Sequence, residues 1–568
     1  MMKAEKIRWF LLTHGLCVML LFSAVSCGVQ KSVQHLPDLS SYAFQQPKPD
    51  KLNDSTTVWG NNFLRKNRQS LWELYISGNA LQLGYNQGAL TQELMQKQER
   101  IFFSKVQDII PSERKQLLLS KVLKFYNRNM YRHVRNDFQA EIYGLSRYSG
   151  NDYDFIAPKF QRNLYLHGAH DIGHALQDLM LVGCSSLAVW DGKSENGKLL
   201  IGRNFDFYAG DDFAKEKIVA FVQPEKGIPY MSVSWPGMTG VVSGMNAKGL
   251  TVTINAGKSK IPFSAKTPVS LVTKEILQFA GNIEEAINIA KKRKVFVSES
   301  IMVGSAEDRK AVLIEMSPNN FGVFDVQNSS QLVCSNHFQS EVYRNDRRNK
   351  KHIAESHSQY RFDRMNELLE KNAKLNPAKM ASILRNKDGL EDIRLGYGNE
   401  KALNQLLAHH SVIFSPEDRL VWVSSSPYQL GEMVCYNLNE IFGDETGGLH
   451  LSDNLRNIKR DPFADSPQFR DYELFRVVDR EMDIALSKGQ VLPAEFIQQY
   501  GQLNPELWSV WFKLGKYYFH SKEYEKATDQ FEKALTKEIT TAPDRRKVEI
   551  YLRKAMRFMK EYSPSPQN

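Results

Sequence analysis

Apolar and polar positions along the chain follow different periods in different regions. Between Leu71 and Leu181, apolar residues recur at spacings of three and four, which is typical of amphipathic helices. After Cys184 the period changes to two, in short runs separated by Gly, Pro and Asn, which predicts strands. Two helices, Val269–Ala280 and Ile283–Lys292, interrupt these strands. This order predicts an α+β protein whose helices pack on sheets.

The first residues have the pattern of a signal peptide. Three basic side chains within the first eight positions precede the apolar run Trp9–Ser26. This pattern is typical of a signal peptide rather than of a transmembrane span followed by stop-transfer charges. We therefore predict a signal peptide over residues 1–26 and export of the mature chain. No later apolar run in the sequence is long enough to cross a bilayer.

The cysteine at the end of this segment is predicted to anchor the protein. The stretch Ser23–Cys27, SAVSC, resembles the lipobox of bacterial lipoproteins, in which the cysteine is lipidated and becomes the mature N-terminus. This predicts an exported lipoprotein of the bacterial cell envelope, periplasmic or outer-membrane associated, held to the membrane through Cys27. Residues 27–54, rich in Gln, Pro, Ser and Asp, are predicted to form the tether. The alternative is a plain cleaved signal peptide with an incidental cysteine.

Composition indicates a globular protein of more than one domain. The chain has 568 residues, of which 42% are hydrophobic. Its formal charge of +10 comes from Lys and Arg mixed with Asp and Glu, and no nucleic-acid-binding motif accompanies them, so nucleic acid is not a predicted partner. A basic surface near anionic lipid or an acidic substrate is equally compatible.

The cysteines form no disulfide framework. Two of the five lie within residues 1–27, which leaves Cys184, Cys334 and Cys435 for the mature fold. A Cys334–Cys435 bridge is left open by the sequence. Cys184 is therefore a candidate unpaired, reactive thiol.

Five motifs carry a resemblance to a known superfamily. They are GCSSLAVW from Gly183, GRNFDF from Gly202, GMNAKGLTVTINAG from Gly244, CSNHF from Cys334 and SQYRFDRMNELL from Ser358. In this order they resemble the N-terminal-nucleophile (Ntn) hydrolases. The resemblance is closest to the acyl-coenzyme A:aminopenicillanate acyltransferase group, with choloylglycine hydrolases and acid ceramidase as relatives. It extends from about Leu71 to about Leu438.

The resemblance implies a fold and a maturation step. It implies a four-layer αββα catalytic domain over residues 184–460, preceded by a helical leader over 55–183. Self-cleavage between Gly183 and Cys184 would make the leader a separate subunit. It would also free the α-amine of Cys184, whose reference pKa of about 7.7–8.0 suits it to take the thiol proton. A thiol is a weak nucleophile while protonated, so this chemistry needs such a base.

Arg203 and Asp206 are implied to act directly on this nucleophile. Arg203 would steady the thiolate or the substrate carbonyl, and Asp206 would orient the α-amine. They lie three residues apart near one strand end, so a bend after Asn204 is needed to bring them together. The alternative is a surface salt bridge.

Three further residues are implied by the later motifs. Asn255 and Asn336 each end a strand, where a side-chain amide can donate to a developing oxyanion. Arg361 matches a family arginine near the nucleophile. Without the resemblance, the asparagines would be turn residues and the arginine a charge on a helix face.

Histidine clusters raise the question of a metal. His167, His170 and His174 lie on one side of a predicted helix, but the glutamate of the zinc-protease motif is absent. His409 and His410 form a weaker candidate. We predict no metal and no other cofactor, and interpret the first three histidines as packing or solvent-facing.

The C-terminal region, residues 470–562, is predicted to be helical and tetratricopeptide-like. In WFKLGKYYFHSKEYEKATDQFEKAL, from Trp511 to Leu535, small residues stand where paired helices approach and large residues where they interdigitate. One repeat cannot bury its own apolar face, so Asp471–Lys488 and Arg545–Glu561 are expected to cap it. The tail binds a protein partner or packs on its own enzyme domain, and the sequence leaves both open.

Together these inferences predict a cysteine amidohydrolase or acyltransferase that acts on N-acylated small molecules through a thioester acyl-enzyme. Hydrolysis is favoured, because acyl-coenzyme A should be scarce outside the cytoplasm. The long leader differs from choloylglycine hydrolases and puts bile-salt specificity in doubt. Two rival predictions are a non-catalytic binding module that uses the C-terminal tail, and a structural lipoprotein in which Cys184 is disulfide-bonded.

Overall fold

The computed structural model describes residues 28–168, 171, 183–208, 210, 212–258, 264–443 and 451–562. The predicted signal peptide and Cys27 lie outside these residues, as do His170 and His174. The predictions that concern them therefore remain predictions.

The described strands form two sheets. The strands are β1 (Asp50–Asn53), β2 (Thr56–Trp59), β3 (Asn62–Lys66), β4 (Trp72–Gly78), β5 (Ser185–Val189), β6 (Leu200–Phe205), β7 (Ile218–Pro224), β8 (Tyr230–Ser234), β9 (Ser243–Asn246), β10 (Leu250–Ala256), β11 (Glu299–Ser305), β12 (Lys310–Met316), β13 (Phe321–Phe324), β14 (Gln331–Cys334), β15 (His410–Ser415), β16 (Leu420–Ser424) and β17 (Met433–Asn437). The larger sheet has the order β1-β2-β3-β4-β7-β8-β9-β10-β11-β12-β13. The smaller sheet has the order β14-β5-β6-β15-β16-β17.

The α-helices lie before, between and after the strands. They are α1 (Ala80–Leu90), α2 (Gln92–Ile109), α3 (Glu113–Asn127), α4 (Asn136–Ser146), α5 (Lys159–His167), α6 (Val269–Phe279), α7 (Ile283–Lys291), α8 (Arg347–Glu355), α9 (Ser358–Lys371), α10 (Pro377–Leu384), α11 (Leu438–Gly443), α12 (Pro467–Lys488), α13 (Ala494–Leu503), α14 (Trp508–His520), α15 (Tyr524–Leu535) and α16 (Ala542–Tyr562). Across the described ranges, no helix combines the length and the apolar character needed to span a membrane.

The apolar side chains of alternate strand positions enter different clusters. Ala188 on β5 packs in a cluster that also contains Phe221 and Met302 from the larger sheet. Its neighbours Leu187 and Val189 pack instead in a cluster with residues of α9 and α10. Helices α6 and α7 cover the larger sheet in a third cluster. Because both faces of β5 are covered, its last three residues, Leu187 to Val189, are apolar in succession rather than alternating with polar residues.

The leader contributes strands as well as helices, which differs from the helical leader predicted over residues 55–183. Strands β1 to β4 belong to the larger sheet, and β4 pairs in parallel with β7. The register runs from Trp72 opposite Ile218 to Gly78 opposite Pro224. The short strands β1 to β3 precede Leu71, where the helical spacing begins, so that spacing carried no signal of them. The helical prediction is wrong for β4, which lies just after Leu71 and is held as a strand by pairing with β3 and β7.

The predicted tether packs on the leader in its described part. His35 stacks on Tyr131, with ring centroids 4.1 Å apart, and its Nε2 lies 2.9 Å from Gln139 Oε1. Its carbonyl accepts a hydrogen bond from Gln161 at 2.6 Å. The last residues of the predicted tether form β1. This stretch therefore follows the surface of the domain, because its polar residues find partners there.

The C-terminal helices form a cluster of their own that also touches the catalytic domain. Leu406 and Leu430 are buried among residues of α12, α14 and α15. Between α14 and α15 the backbone approach is close, since a Cβ on Gly515 would lie 2.4 Å from the Phe531 ring. The region is thus helical and packs on residues that precede it in the chain.

Candidate active site

Cys184 lies immediately before β5, between the two sheets. Its side chain is 1% exposed. Arg203 Nη2 lies 3.6 Å from the Cys184 sulfur, and Arg361 Nη1 donates to the Cys184 carbonyl at 2.6 Å. Burial raises the pKa of the thiol to about 11 in the uncut chain, although the charge of Arg203 lowers it. The thiol is therefore protonated at neutral pH, next to two cations.

Arg203 is fixed by hydrogen bonds to the larger sheet. It lies on β6, opposite Ser186 of β5, and is fully buried. Its guanidinium donates to the carbonyls of Val242 and Ile254 and to the Ser243 hydroxyl. Since its donors are held by neighbouring strands, Arg203 presents one fixed edge to the cysteine sulfur.

Asp206 follows β6 directly. Its main-chain carbonyl accepts a hydrogen bond from the Gly183 N–H at 3.3 Å. Its carboxylate is fully buried, and within the described residues neither carboxylate oxygen has a hydrogen-bond partner. Burial raises the pKa of this carboxyl to about 7, and the charges of Arg361 and Arg203 lower it only in part.

The bend predicted after Asn204 is not found there. Strand β6 stays regular through Phe205, and the irregular position is Asp206 itself. The Asn204 side chain holds this residue in the strand, because its amide donates to the carbonyls of Leu384 and Leu403, both at 2.8 Å. The backbone therefore leaves the regular strand one residue later than predicted.

Arg361 connects Cys184 to the end of β14. Besides the Cys184 carbonyl, it donates to Ser185 Oγ at 2.9 Å and to Asn336 Oδ1 at 2.6 Å. The side chain is fully buried, so it is not an ordinary charge on a helix face. The structure thus brings Arg361 and Asn336 to Cys184.

Asn255 lies at the site, but its amide is already engaged. Its Nδ2 donates to the carbonyls of Cys334 and Ser335 at 3.2 and 3.1 Å, and its Oδ1 accepts from Ser186 Oγ at 2.8 Å. Both N–H groups are used on backbone oxygens. Asn255 therefore joins β10 to β14 in the uncut chain, and its predicted oxyanion role requires a rearrangement.

His409 and His410 belong to the site through Arg203. His410 Nε2 lies 2.8 Å from Ser243 Oγ, which accepts a hydrogen bond from Arg203. His409 Nδ1 in turn lies 2.8 Å from His410 Nδ1. Burial lowers the pKa of both imidazoles well below their usual range, so the pair is neutral. The sequence marked these residues only as a weak metal candidate, because no spacing relates them to Cys184.

The remaining histidine and cysteine predictions have separate outcomes. His167 is buried, and its ring nitrogens lie 2.7 Å from the Asn163 carbonyl and 2.9 Å from Thr239 Oγ1. Cys334 and Cys435 are free thiols on β14 and β17, at opposite edges of the smaller sheet. The bridge left open between them is therefore not formed. Cys184 is also a free thiol, which contradicts the rival in which it is disulfide-bonded.

One further residue at the site was marked by no motif. The Gln405 amide donates to the Gly183 carbonyl at 3.0 Å. Gln405 lies in an irregular segment between α10 and β15, more than 200 residues after Gly183. Nothing local in the sequence could have identified it.

Comparison with known proteins agrees with the motif resemblance. Residues 192–426 match the family model described as acyl-coenzyme A:6-aminopenicillanic acid acyl-transferase. This match confirms the predicted resemblance to that family. Proteins of this family are Ntn hydrolases.

Individual relatives are distant. The chain is 24% identical over 270 residues to an uncharacterized protein of Archaeoglobus fulgidus, and the match covers 44% of each chain. The chain thus spans less than half the length of this curated relative. Among solved structures, it is similar to the Caenorhabditis elegans ortholog of N-acylethanolamine-hydrolyzing acid amidase, with 17% identity, a TM-score of 0.31, and coverage of 41% of this chain and 93% of that one. It is also similar to a mutant form of conjugated bile acid hydrolase from Clostridium perfringens, with 14% identity, a TM-score of 0.32, and coverage of 48% and 96%.

Proposed function

We propose that this chain is an exported lipoprotein that cleaves itself between Gly183 and Cys184 and then acts on N-acylated small molecules. The observation that carries the proposal is the position of Cys184 between two buried arginines. Arg203 faces the sulfur and Arg361 faces the carbonyl of the same residue. Two fixed cations beside one cysteine favour a thiolate and an anionic tetrahedral state, which a structural thiol does not need.

Self-cleavage would explain why, in the uncut chain, burial opposes ionisation of both the Cys184 thiol and the Asp206 carboxyl. Burial raises the pKa of the Cys184 thiol to about 11 and of the Asp206 carboxyl to about 7. The α-amine released at Cys184 would be a base for the thiol and a cationic partner for the Asp206 carboxylate. Both groups would then ionise near neutral pH, and the nucleophile would become active only after maturation.

In the mature enzyme, the thiolate attacks the carbonyl carbon of an acyl amide. The C–N bond breaks, the amine leaves with a proton from the α-ammonium, and the acyl group remains on sulfur as a thioester. Arg203 steadies the thiolate. Asn336 uses one N–H on the Ala256 carbonyl at 3.0 Å, and we assign its second N–H to the oxyanion together with a rearranged Asn255. Water then hydrolyses the thioester, whereas an amine would receive the acyl group by transfer.

One side of Asp206 borders a small cavity. It has a volume of about 50 Å³ and lies between α2 of the leader and the residue that follows Asp206. Its lining is mixed: the apolar members include Met95, Phe102, Phe207, Phe213, Trp235 and Met238, and the polar members are Gln98, Glu99, Ser149 and Asn163. We propose that the apolar side of this lining contacts the acyl group. Hydrolysis is proposed over transfer, because an exported enzyme would find little acyl-coenzyme A.

The finer features of the architecture belong to the same proposal. The three apolar clusters on and between the sheets support a four-layer αββα core. The close approach of α14 and α15 at Gly515 supports a tetratricopeptide-like pair. The sequence around Cys27 supports anchoring in the cell envelope.

Intact mass and N-terminal sequencing of the purified protein, beside a Cys184→Ala variant, test the proposal. We expect a fragment that begins at Cys184 in the wild type and an uncut variant. The cleaved protein is then assayed on N-acyl amino acids and other lipid amides, with release of the free amine as the readout. An uncut wild-type chain would remove the α-amine from the mechanism and would favour a non-catalytic binding module.

A further inference from the structure

Gly183 is held on both sides of its backbone. Its N–H donates to the Asp206 carbonyl at 3.3 Å, and its carbonyl oxygen accepts from Gln405 Nε2 at 3.0 Å. That oxygen belongs to the peptide bond that the proposed function breaks. A Cβ on residue 183 would lie 2.5 Å from Gln405 Nε2. Glycine therefore allows the amide to reach the carbonyl, and any other residue would push it away.

The backbone around Gln405 is fixed on both sides. Asn404 Oδ1 accepts from the Leu406 N–H at 3.1 Å, which closes a tight turn across Gln405. Leu406 has a left-handed backbone, with φ of 52°, and its buried side chain packs in the cluster of the C-terminal helices. Gln405 itself is 1% exposed. A strained, non-glycine position is retained where the surrounding structure requires it.

The C-terminal helices hold the rest of the same segment. The Tyr397 N–H donates to Asn504 Oδ1 at 3.0 Å, and Asn504 Nδ2 returns a bond to the Tyr397 carbonyl at 2.8 Å. Lys401 Nζ lies 2.6 Å from Glu538 Oε2. The segment from residue 397 to 406 is thus clamped between the C-terminal region and the scissile peptide.

Other amide and cationic groups of the site point elsewhere. Both N–H groups of Asn255 are bound to carbonyls, and Arg361 donates to the carbonyl of Cys184 rather than to that of Gly183. In the part of the chain that the structure describes, Gln405 is the side chain found donating to the Gly183 oxygen.

We propose that Gln405 is a catalytic residue of self-cleavage that polarises the Gly183 carbonyl, and that the C-terminal helices hold it in place. The inference rests on the proposed self-cleavage. The Cys184 sulfur attacks the Gly183 carbonyl carbon, and Gln405 stabilises the charge that develops on the oxygen. The C–N bond breaks as the thiol proton passes to the Cys184 nitrogen, which leaves a thioester. Water hydrolyses the thioester to a Gly183 carboxylate and a free Cys184 thiol.

The test compares Gln405→Met with a matched control, Gln429→Met. Gln429 is equally buried and also donates its amide to a backbone carbonyl, that of Leu384 at 3.2 Å, but no bond is broken there. Both variants and the wild type are made as the full chain in a cell-free translation time course, and fragments are quantified by intact mass. We expect Gln405→Met to slow the appearance of the Cys184 fragment by about 100-fold, as for the loss of one oxyanion donor, and Gln429→Met to leave the rate unchanged.

The outcomes separate the inference from the proposed function. A wild-type chain that stays intact overturns both. A cleaved wild type with an equally fast Gln405→Met overturns the role of Gln405 alone. Added hydroxylamine, which cleaves thioesters, should not restore the variant, because the slowed step precedes the thioester. Restoration would overturn the assignment to the first step.

A second variant guards against a folding defect. Gln405→Asn keeps the amide but shortens its reach, so it should also slow cleavage while near-ultraviolet circular dichroism matches the Gln429→Met control. Leu406→Ala should slow cleavage less than Gln405→Met, because it loosens the support without removing the donor. Full-speed cleavage in Gln405→Asn and Leu406→Ala together would contradict the proposed positioning.

Discussion

Asp206 shows how a single side chain makes the uncut site sensitive to pH. Its carboxylate is buried beside Arg203 and Arg361, yet burial outweighs both cations and raises its pKa to about 7. The reason is geometric, since Arg361 donates hydrogen bonds to Cys184, Ser185 and Asn336 rather than to the Asp206 carboxylate. Burying a charge without a hydrogen-bonded partner costs more desolvation free energy than the attraction of a nearby cation recovers.

This residue predicts a pH-dependent stability. A carboxyl whose folded pKa is raised from 3.8 to about 7 stabilises the fold below pH 3.8, and that contribution is lost as the pH rises through 7. Urea unfolding of Cys184→Ala, which stays uncut, is compared from pH 4 to 8 with Cys184→Ala/Asp206→Asn. We expect the unfolding free energy of the single variant to fall by up to about 4 kcal/mol relative to the double variant. Parallel curves would contradict a raised pKa at Asp206.

At the scale of elements, two helices of the leader pack closely on each other, and a buried ion pair joins one of them to the domain that follows. Helices α1 and α4 meet backbone to backbone, since a Cβ on Gly84 would lie 1.9 Å from the Glu141 carbonyl oxygen. The Glu141 carboxylate pairs with Lys274 of α6 at 2.5 Å, and both side chains are buried. A small residue on α1 therefore sets the position of α4, which carries half of this pair.

The glycine contact gives a direct prediction. Gly84→Ala should lower the free energy of unfolding by about 2 kcal/mol or more, because overpacking exceeds the gain of up to about 1 kcal/mol in helix propensity. Gly192→Ala is the matched control, since no atom lies within 4 Å of its added Cβ. The control should stay within about 0.5 kcal/mol of the wild type. The thermal unfolding midpoint of the uncut chain measures both, and equal midpoints would contradict the close approach.

At the scale of the whole molecule, the proposed cleavage would not divide the fold. The larger sheet combines strands from both sides of Gly183, and β4 pairs with β7 along its full length. The Glu141–Lys274 pair also crosses from the leader to the catalytic domain. The C-terminal helices share an apolar cluster with Leu406 and Leu430, so they are part of the same packed body.

We therefore predict that the two fragments stay together after cleavage. Cleaved wild type should elute as one species in gel filtration, with and without reductant, because the described cysteines are free thiols. The fragments should separate only in denaturant. Native mass spectrometry checks the stoichiometry, with uncut Cys184→Ala as the reference, and release of the leader under native conditions would contradict the shared sheet.

Local patterns determined much of the fold and part of the site. The change from helical spacing to a period of two after Cys184 corresponds to β5 and the strands that follow. The helices predicted over Val269–Ala280 and Ile283–Lys292 are observed as α6 and α7. The family resemblance also implied that Arg203 and Arg361 lie near Cys184, and both contact it. Such signals are local, because residue spacing reports which face of an element is buried.

Only the tertiary structure decided which groups meet. Spacing carries no information about the partner that covers a buried face, so it could not predict that the leader completes the larger sheet. It could not predict that the Asn255 amide donates to a backbone carbonyl of β14. Nor could it predict that the His409–His410 pair supports Arg203. Gln405 reaches Gly183 from a distant, irregular segment that the C-terminal helices hold. These contacts depend on chain topology, which the sequence determines through the whole fold rather than through any local pattern.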